Sequence, residues 1–129
     1  MKSRYYLSET EREVMESVWE QGKGVKQSAL LELFHERGRD WKRQTLNTFL
    51  SRLEEKGLIK REHRIVEANC TEKEFERGQM REVIDNLYDG KIANLVMAFA
   101  DGISEEEADS LLEIIQKRKE TFKEAEKGE

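Results

Sequence analysis

The chain contains no proline, and it has only one cysteine and two histidines among 129 residues. Without proline no helix is interrupted by a missing amide hydrogen, so long continuous helices are open to the whole sequence. One cysteine, Cys70, excludes an intramolecular disulfide, and with two histidines it leaves too few ligands for a dedicated metal cage. No run approaches the roughly 18 apolar residues of a membrane span. The opening MKSRYYLSETE has no apolar signal region, so a cytoplasmic protein without membrane contact is expected, and the Asn69-Cys70-Thr71 sequon is then without meaning. No nucleophile-and-base pairing, carboxylate pair or phosphate-binding glycine loop stands out, so neither an enzyme nor a bound cofactor is expected. Apolar residues are scarce as well, 36% against 40% charged. A short chain of that composition buries a limited core alone, and a second copy is a natural way to extend it.

The net charge of -5 opposes nucleic-acid binding until it is divided along the chain. Residues 1–70 carry 14 basic and 12 acidic side chains, whereas residues 71–129 carry 9 and 16. Between residues 37 and 64 there are 9 basic against 4 acidic. A basic footprint on one half, with an acidic other half, is the pattern of a modular DNA binder. An uneven but merely solvated surface accounts for the charge alone equally well.

Helix starts are marked by three capping boxes, Ser8-x-x-Glu11, Thr71-x-x-Glu74 and Ser104-x-x-Glu107. Behind the first, Val14, Met15, Val18 and Trp19 keep helical spacing until Gly22 and Gly24. Val25 allows a short extended step, and Leu30, Leu31, Leu33 and Phe34 mark a second helix after the poor cap Lys26. A third helix is expected over about 42–56, with Leu46, Phe49, Leu50 and Leu53 as its buried stripe and Gly57 at its end. Leu58 to Asn69 reads as a short antiparallel hairpin, although no Asn-Gly or Asp-Gly turn supports it. Three further helices follow, at about 72–88, 91–101 and 105–124. The order of three helices and then a hairpin is that of a winged helix-turn-helix, which places its third helix in the major groove. The expected fold is therefore mostly α, with a winged helix-turn-helix domain at 1–70 and a helical dimerisation domain at 71–129.

At about 100° per residue, Gln44, Asn47, Thr48, Ser51 and Arg52 face away from the leucine stripe of the third helix, with Thr45 beside them. Gln and Asn suit adenine, and Thr and Ser suit phosphate oxygens or a thymine methyl group. Lys42 and Arg43 fall in the first turn, where the helix dipole favours a phosphate. Lys60, Arg61, His63 and Arg64 are expected to contact the backbone from the wing, adding affinity but little sequence information. Arg52 has the alternative of pairing with an acidic neighbour, and Trp41 reads as a packing anchor.

The stretch Thr45-Leu46-Asn47-Thr48-Phe49-Leu50-Ser51-Arg52-Leu53-Glu54-Glu55-Lys56-Gly57-Leu58 resembles the recognition-helix signature of the penicillinase-repressor family, the BlaI/MecI/CopY type. Leu7 to Met15 with Val18-Trp19 is similar to that family's first helix, and Asp40-Trp41 also matches. Leu87-Tyr88-Asp89-Gly90 followed by Leu95-Val96-Met97-Ala98-Phe99 resembles its dimerisation region, and Ser104-Glu105-Glu106-Glu107 the start of its last helix. The resemblance implies a repressor that binds a palindromic operator in duplex DNA as a homodimer with interlocking C-terminal helices. Apolar positions there, Leu87, Tyr88, Ile92, Leu95, Val96, Phe99, Leu111, Leu112 and Ile115, are the expected dimer contacts. It also implies a regulatory protease acting at an Asn-Phe bond, where this chain has Ala98-Phe99. The paired Cys-x-Cys ligands of the copper-responsive members are missing, and the stretch Arg61 to Cys70 is shorter than the family's tyrosine-rich wing. Two other uses of the same fold are weighed beside this one. A ligand-sensing winged helix predicts a polar group within the C-terminal apolar stripes, for which Asn94 is the one candidate. A winged helix devoted to protein contacts predicts weak DNA binding without sequence preference.

Overall fold

A computed structural model of the chain describes residues 3–128; Met1, Lys2 and Glu129 lie outside the described residues. Helix α1 (Glu9–Gln21) begins where the Ser8 hydroxyl accepts from the Glu11 amide at 3.1 Å and the Ser8 amide donates to the Glu11 carboxylate at 3.4 Å. These two bonds satisfy donors that the first helical turn leaves unpaired. Strand β1 (Val25–Lys26) leads directly into α2 (Gln27–Glu36). Lys26 makes no side-chain cap; the first amide of α2, on Gln27, instead donates to the Arg64 carbonyl at 2.9 Å. The wing thus supplies the cap that the local sequence lacks.

Helix α3 (Arg43–Glu55) buries Leu46, Leu50 and Leu53. Phe49, on the same stripe, is half-buried, its ring 5.4 Å from that of Trp41, which in turn lies 4.6 Å from Phe34. Trp41 is therefore the anchor that packs the entry of α3 against α2. Strands β2 (Ile59–Glu62) and β3 (Ile65–Ala68) form the wing, and β1 adds to the far edge in the antiparallel order β1-β3-β2. Glu62 pairs with Ile65, so His63 and Arg64 alone make the turn, with φ of +52° and +63°. Positive φ at both central residues is what a type I′ hairpin turn needs to match the strand twist. The shortness of the wing therefore yields a regular two-residue hairpin.

The core gathers Val14, Met15, Leu30, Phe34, Leu50, Leu58 and Val66 beneath these elements. Helix α4 (Glu72–Leu87) contributes Phe75, whose ring lies 5.5 Å from both Trp19 and Tyr5. Its start carries the second reciprocal cap, between Thr71 and Glu74. The Trp19 indole donates to the Cys70 carbonyl at 2.9 Å, tying α1 to the approach of α4. The preceding segment lies along α4: Gln79 donates to the Tyr5 carbonyl at 3.3 Å, and Ser3 bonds Glu82. Gly78 sits under Tyr5, where a Cβ would fall 2.3 Å from the ring.

The chain divides into two compact units between Val83 and Ile84, within α4. The second unit holds the end of α4, then α5 (Ile92–Ala100) and α6 (Glu105–Lys127). Asp89 and Gly90, at φ +57° and +74°, turn the chain out of α4, and the Asn94 amide donates to the Tyr88 carbonyl at 3.1 Å. That bond occupies the one polar side chain in the α5 stripe. Ser104 and Glu107 cap α6 reciprocally, and these backbone and hydroxyl bonds hold the Glu107 carboxyl below its usual range. Among the described residues no helix is long and apolar enough to cross a membrane.

Candidate nucleic-acid interface

On α3 the three buried leucines fix which residues face outward. Lys42, Arg43, Gln44, Asn47, Thr48 and Arg52 are exposed, while Thr45 and Ser51 are half-buried at the margins. The Thr48 hydroxyl donates to the Gln44 carbonyl one turn back at 3.0 Å. Arg52 lies 5.8 Å over the Phe49 ring.

The wing cations differ in what holds them. Lys60 pairs with Glu67 across the hairpin at 3.3 Å, Lys60 exposed and Glu67 half-buried. His63 and Arg64 stand exposed at the tip. Arg61 turns inward, its side chain only 18% exposed. Its guanidinium donates to Asn47 Oδ1 at 2.7 Å, Ser51 Oγ at 3.0 Å, Glu54 Oε1 at 3.0 Å and Gln27 Oε1 at 3.4 Å. Asn47, Ser51 and Glu54 are spaced i, i+4 and i+7, one stripe of α3, which is why a single planar fork reaches all three. Among the described residues, Lys42, Arg43 and Arg64 make no ion pair.

These elements border a concavity of about 960 Å³ whose lining includes Lys26, Gln27, Leu31, Gln44, Asn47 and Arg64. The sequence pointed to its α3 and wing sides and missed the α2 side, Lys26, Gln27 and Ser28. The available signal was the polar run Lys26-Gln27-Ser28 ahead of the first apolar residue of α2.

The orientation of α3 depends on its far end. Lys56, at its C-terminus, donates to Glu11 at 2.8 Å and to the Tyr6 carbonyl at 2.6 Å. Burial alone raises the Glu11 pKa, but the Lys56 ammonium and the Ser8 bonds outweigh it and hold the carboxyl below its usual range. Arg37 bridges α1 and α2 by donating to Ser17 and Glu20, both at 2.9 Å, and Arg39 pairs with Glu13 while lying over Trp41. Much of the basic count between residues 37 and 64 thus serves to fix helices. Burial also pushes the Cys70 thiol up, so it stays protonated at neutral pH.

Three helices with a tight wing, and a polar outer face on the third helix, make this a winged helix-turn-helix protein. The family model described as Penicillinase repressor matches residues 7–117, and the chain belongs to that family of transcriptional repressors. It is similar to the methicillin resistance regulatory protein MecI of Mammaliicoccus sciuri, with 27% identity over 120 residues, covering 88% of this chain and 96% of that protein.

Proposed function

We propose that the chain represses transcription in the cytoplasm as a homodimer on a two-fold symmetric operator, each α3 entering the major groove of one half-site. The observation that carries this reading is the concave face where the outward side of α3 meets unpaired cations. Gln44 and Asn47 line it, and Thr48 and Ser51 continue the polar side of α3 beyond it, with Thr45 and Arg52 flanking them; these residue types suit base edges. Arg43 and Arg64 line it and Lys42 precedes Arg43, whereas Lys60 and Arg61, on the adjoining strand of the wing, are paired with Glu67 and Glu54. Of these, the unpaired Lys42, Arg43 and Arg64 are the ones to neutralise phosphates and make affinity steeply salt-dependent.

The dimer is supported by the second unit, where large apolar side chains stand in solvent: Leu87 is 72% exposed, Ile92 62%, Leu112 65% and Ile115 54%. Val96 and Phe99 are exposed too, and Tyr88, Leu95 and Leu111 are half-buried. Apolar area of that extent on one small unit marks an interface. In this reading residues 1–70 bind DNA and 71–129 dimerise, with no catalytic activity and no cofactor. The comparison with a methicillin resistance regulatory protein fits a regulator of gene expression. Proteolytic relief of repression is compatible with the reading, at a bond other than Asn-Phe because Ala98 precedes Phe99.

A nuclease footprint of the purified protein on DNA upstream of its own gene, at physiological salt, tests the proposal. Protection of a two-fold symmetric site is expected. Salt-sensitive smearing with no protected site would overturn it in favour of a winged helix used for protein contacts.

A further inference from the structure

We propose that Arg61 selects which base edge the recognition helix reads, by holding the acceptor atoms of Asn47, Ser51 and Gln27 toward the wing and leaving Asn47 and Ser51 to present donors. The inference rests on the operator-binding reading above. An arginine side chain donates and never accepts, so any amide or hydroxyl bound to it turns an oxygen toward it. Asn47 gives Arg61 its Oδ1 at 2.7 Å, Ser51 its Oγ at 3.0 Å and Gln27 its Oε1 at 3.4 Å. Among the described residues no group takes up the Asn47 amide nitrogen, and the Ser51 hydroxyl, having accepted, retains its hydrogen to donate.

The consequence concerns base identity. Pairing with adenine in the major groove needs the oxygen and the nitrogen of an asparagine turned together toward one edge, the oxygen accepting from N6 and the nitrogen donating to N7. With Oδ1 turned to the wing, that arrangement is lost. Guanine presents two adjacent acceptors, N7 and O6, which a donating amide nitrogen satisfies. Arg61 is well placed for this task and poorly placed for a phosphate: its side chain is only 18% exposed, and Glu54 at 3.0 Å neutralises it. Arg61 is thus a positioning residue, acting through Asn47 and Ser51, and the chain favours guanine over adenine at the base pair under Asn47.

The test is selection of the full-length protein on a duplex library randomised across the operator half-site, at one fixed salt concentration, with circular dichroism to verify each variant. Asn47→Ala locates the base pair in question as the one whose preference it abolishes. The wild-type protein is expected to favour guanine there by about fivefold or more, the low end of a good base-edge pair. In Arg61→Met that ratio shifts toward adenine by a similar factor, while ratios at other base pairs hold. Arg61→Lys keeps the ion pair to Glu54 without a fork able to span three acceptors, and shifts the same ratio in the same direction. A wild-type preference for adenine at that pair overturns the proposal. So does uniform weakening with unchanged ratios in both Arg61 variants, the signature of a plain phosphate contact. A wild-type protein without preference at any base pair removes the operator reading itself, and this inference with it.

Discussion

Replacing Lys56 by methionine removes the cation that compensates a buried carboxylate while keeping most of the side-chain volume. Glu11 is 6% exposed and pairs with Lys56, whose ammonium also donates to the Tyr6 carbonyl. Breaking a fully buried pair from one side costs about 3–5 kcal/mol. The Lys56 side chain is still 18% exposed, so water reaches this pair and the expected loss is about 2–3 kcal/mol at pH 7. For a domain of this size that corresponds to roughly 8–12 °C in Tm at fixed protein concentration. The loss depends on pH in a defined direction. The folded pKa of Glu11 lies below its unfolded value, so its stabilisation is fully present above the unfolded pKa and is lost as pH falls through the folded one. Without Lys56, burial is left with only the Ser8 bonds against it, and the carboxyl protonates at higher pH. The difference between wild type and Lys56→Met is therefore largest at neutral pH and shrinks toward pH 3. Urea unfolding at pH 7 and pH 3 measures it, and Glu11→Gln in the Lys56→Met background should recover part of the loss. A difference below about 0.5 kcal/mol at pH 7, the range of an ordinary surface substitution, or one that is constant with pH, would refute the reasoning.

At the wing tip, His63→Asn with Arg64→Gly relieves two side chains held at positive φ and should stabilise the fold by about 1 kcal/mol in urea titrations. The same change removes the exposed Arg64 charge and should lower the salt slope of operator binding by about 1. Gly78→Ala drives a methyl group into the Tyr5 ring and should destabilise by about 2 kcal/mol. In a Tyr5→Ala background the same substitution should become neutral or stabilising, because alanine is the better helix former; thermal melts of the four proteins decide it. Ile115→Asp on the exposed apolar face of α6 should shift sedimentation from dimer to monomer and weaken operator affinity, with helical content unchanged by circular dichroism.

Local signals made most of the fold legible. The three capping boxes are hydrogen-bonded as their spacing implies, because a cap is closed by residues three apart and needs nothing distant. The leucine stripe of α3 is buried because a 3.6-residue period puts Leu46, Leu50 and Leu53 on one side regardless of context. The same period determined which residues of α3 face outward. What it left undecided was the state of those residues. That Arg61 lies against Asn47, Ser51 and Glu54 follows from the packing of β2 on α3, and that Arg64 stands exposed at the tip follows from the register of β2 against β3; no local pattern contains either. The hairpin turn was hidden as well, since His63 and Arg64 adopt left-handed conformations that their side chains do not favour, and strand pairing imposes them.

The α2 side of the concavity was missed for a related reason. Lys26 is a poor cap by type, and the bond that replaces it comes from Arg64, 38 positions along the chain. Lys56 and Glu11 likewise are ordinary surface residues in sequence, and only the packing of α1 against the end of α3 makes them a buried pair. Sequence alone determined the helices, the core-facing stripes, the three capping boxes and the family. Tertiary structure decided which charges are engaged and which stand unpaired in solvent, because ion pairs between distant residues depend on how elements pack, and periodicity describes one element at a time.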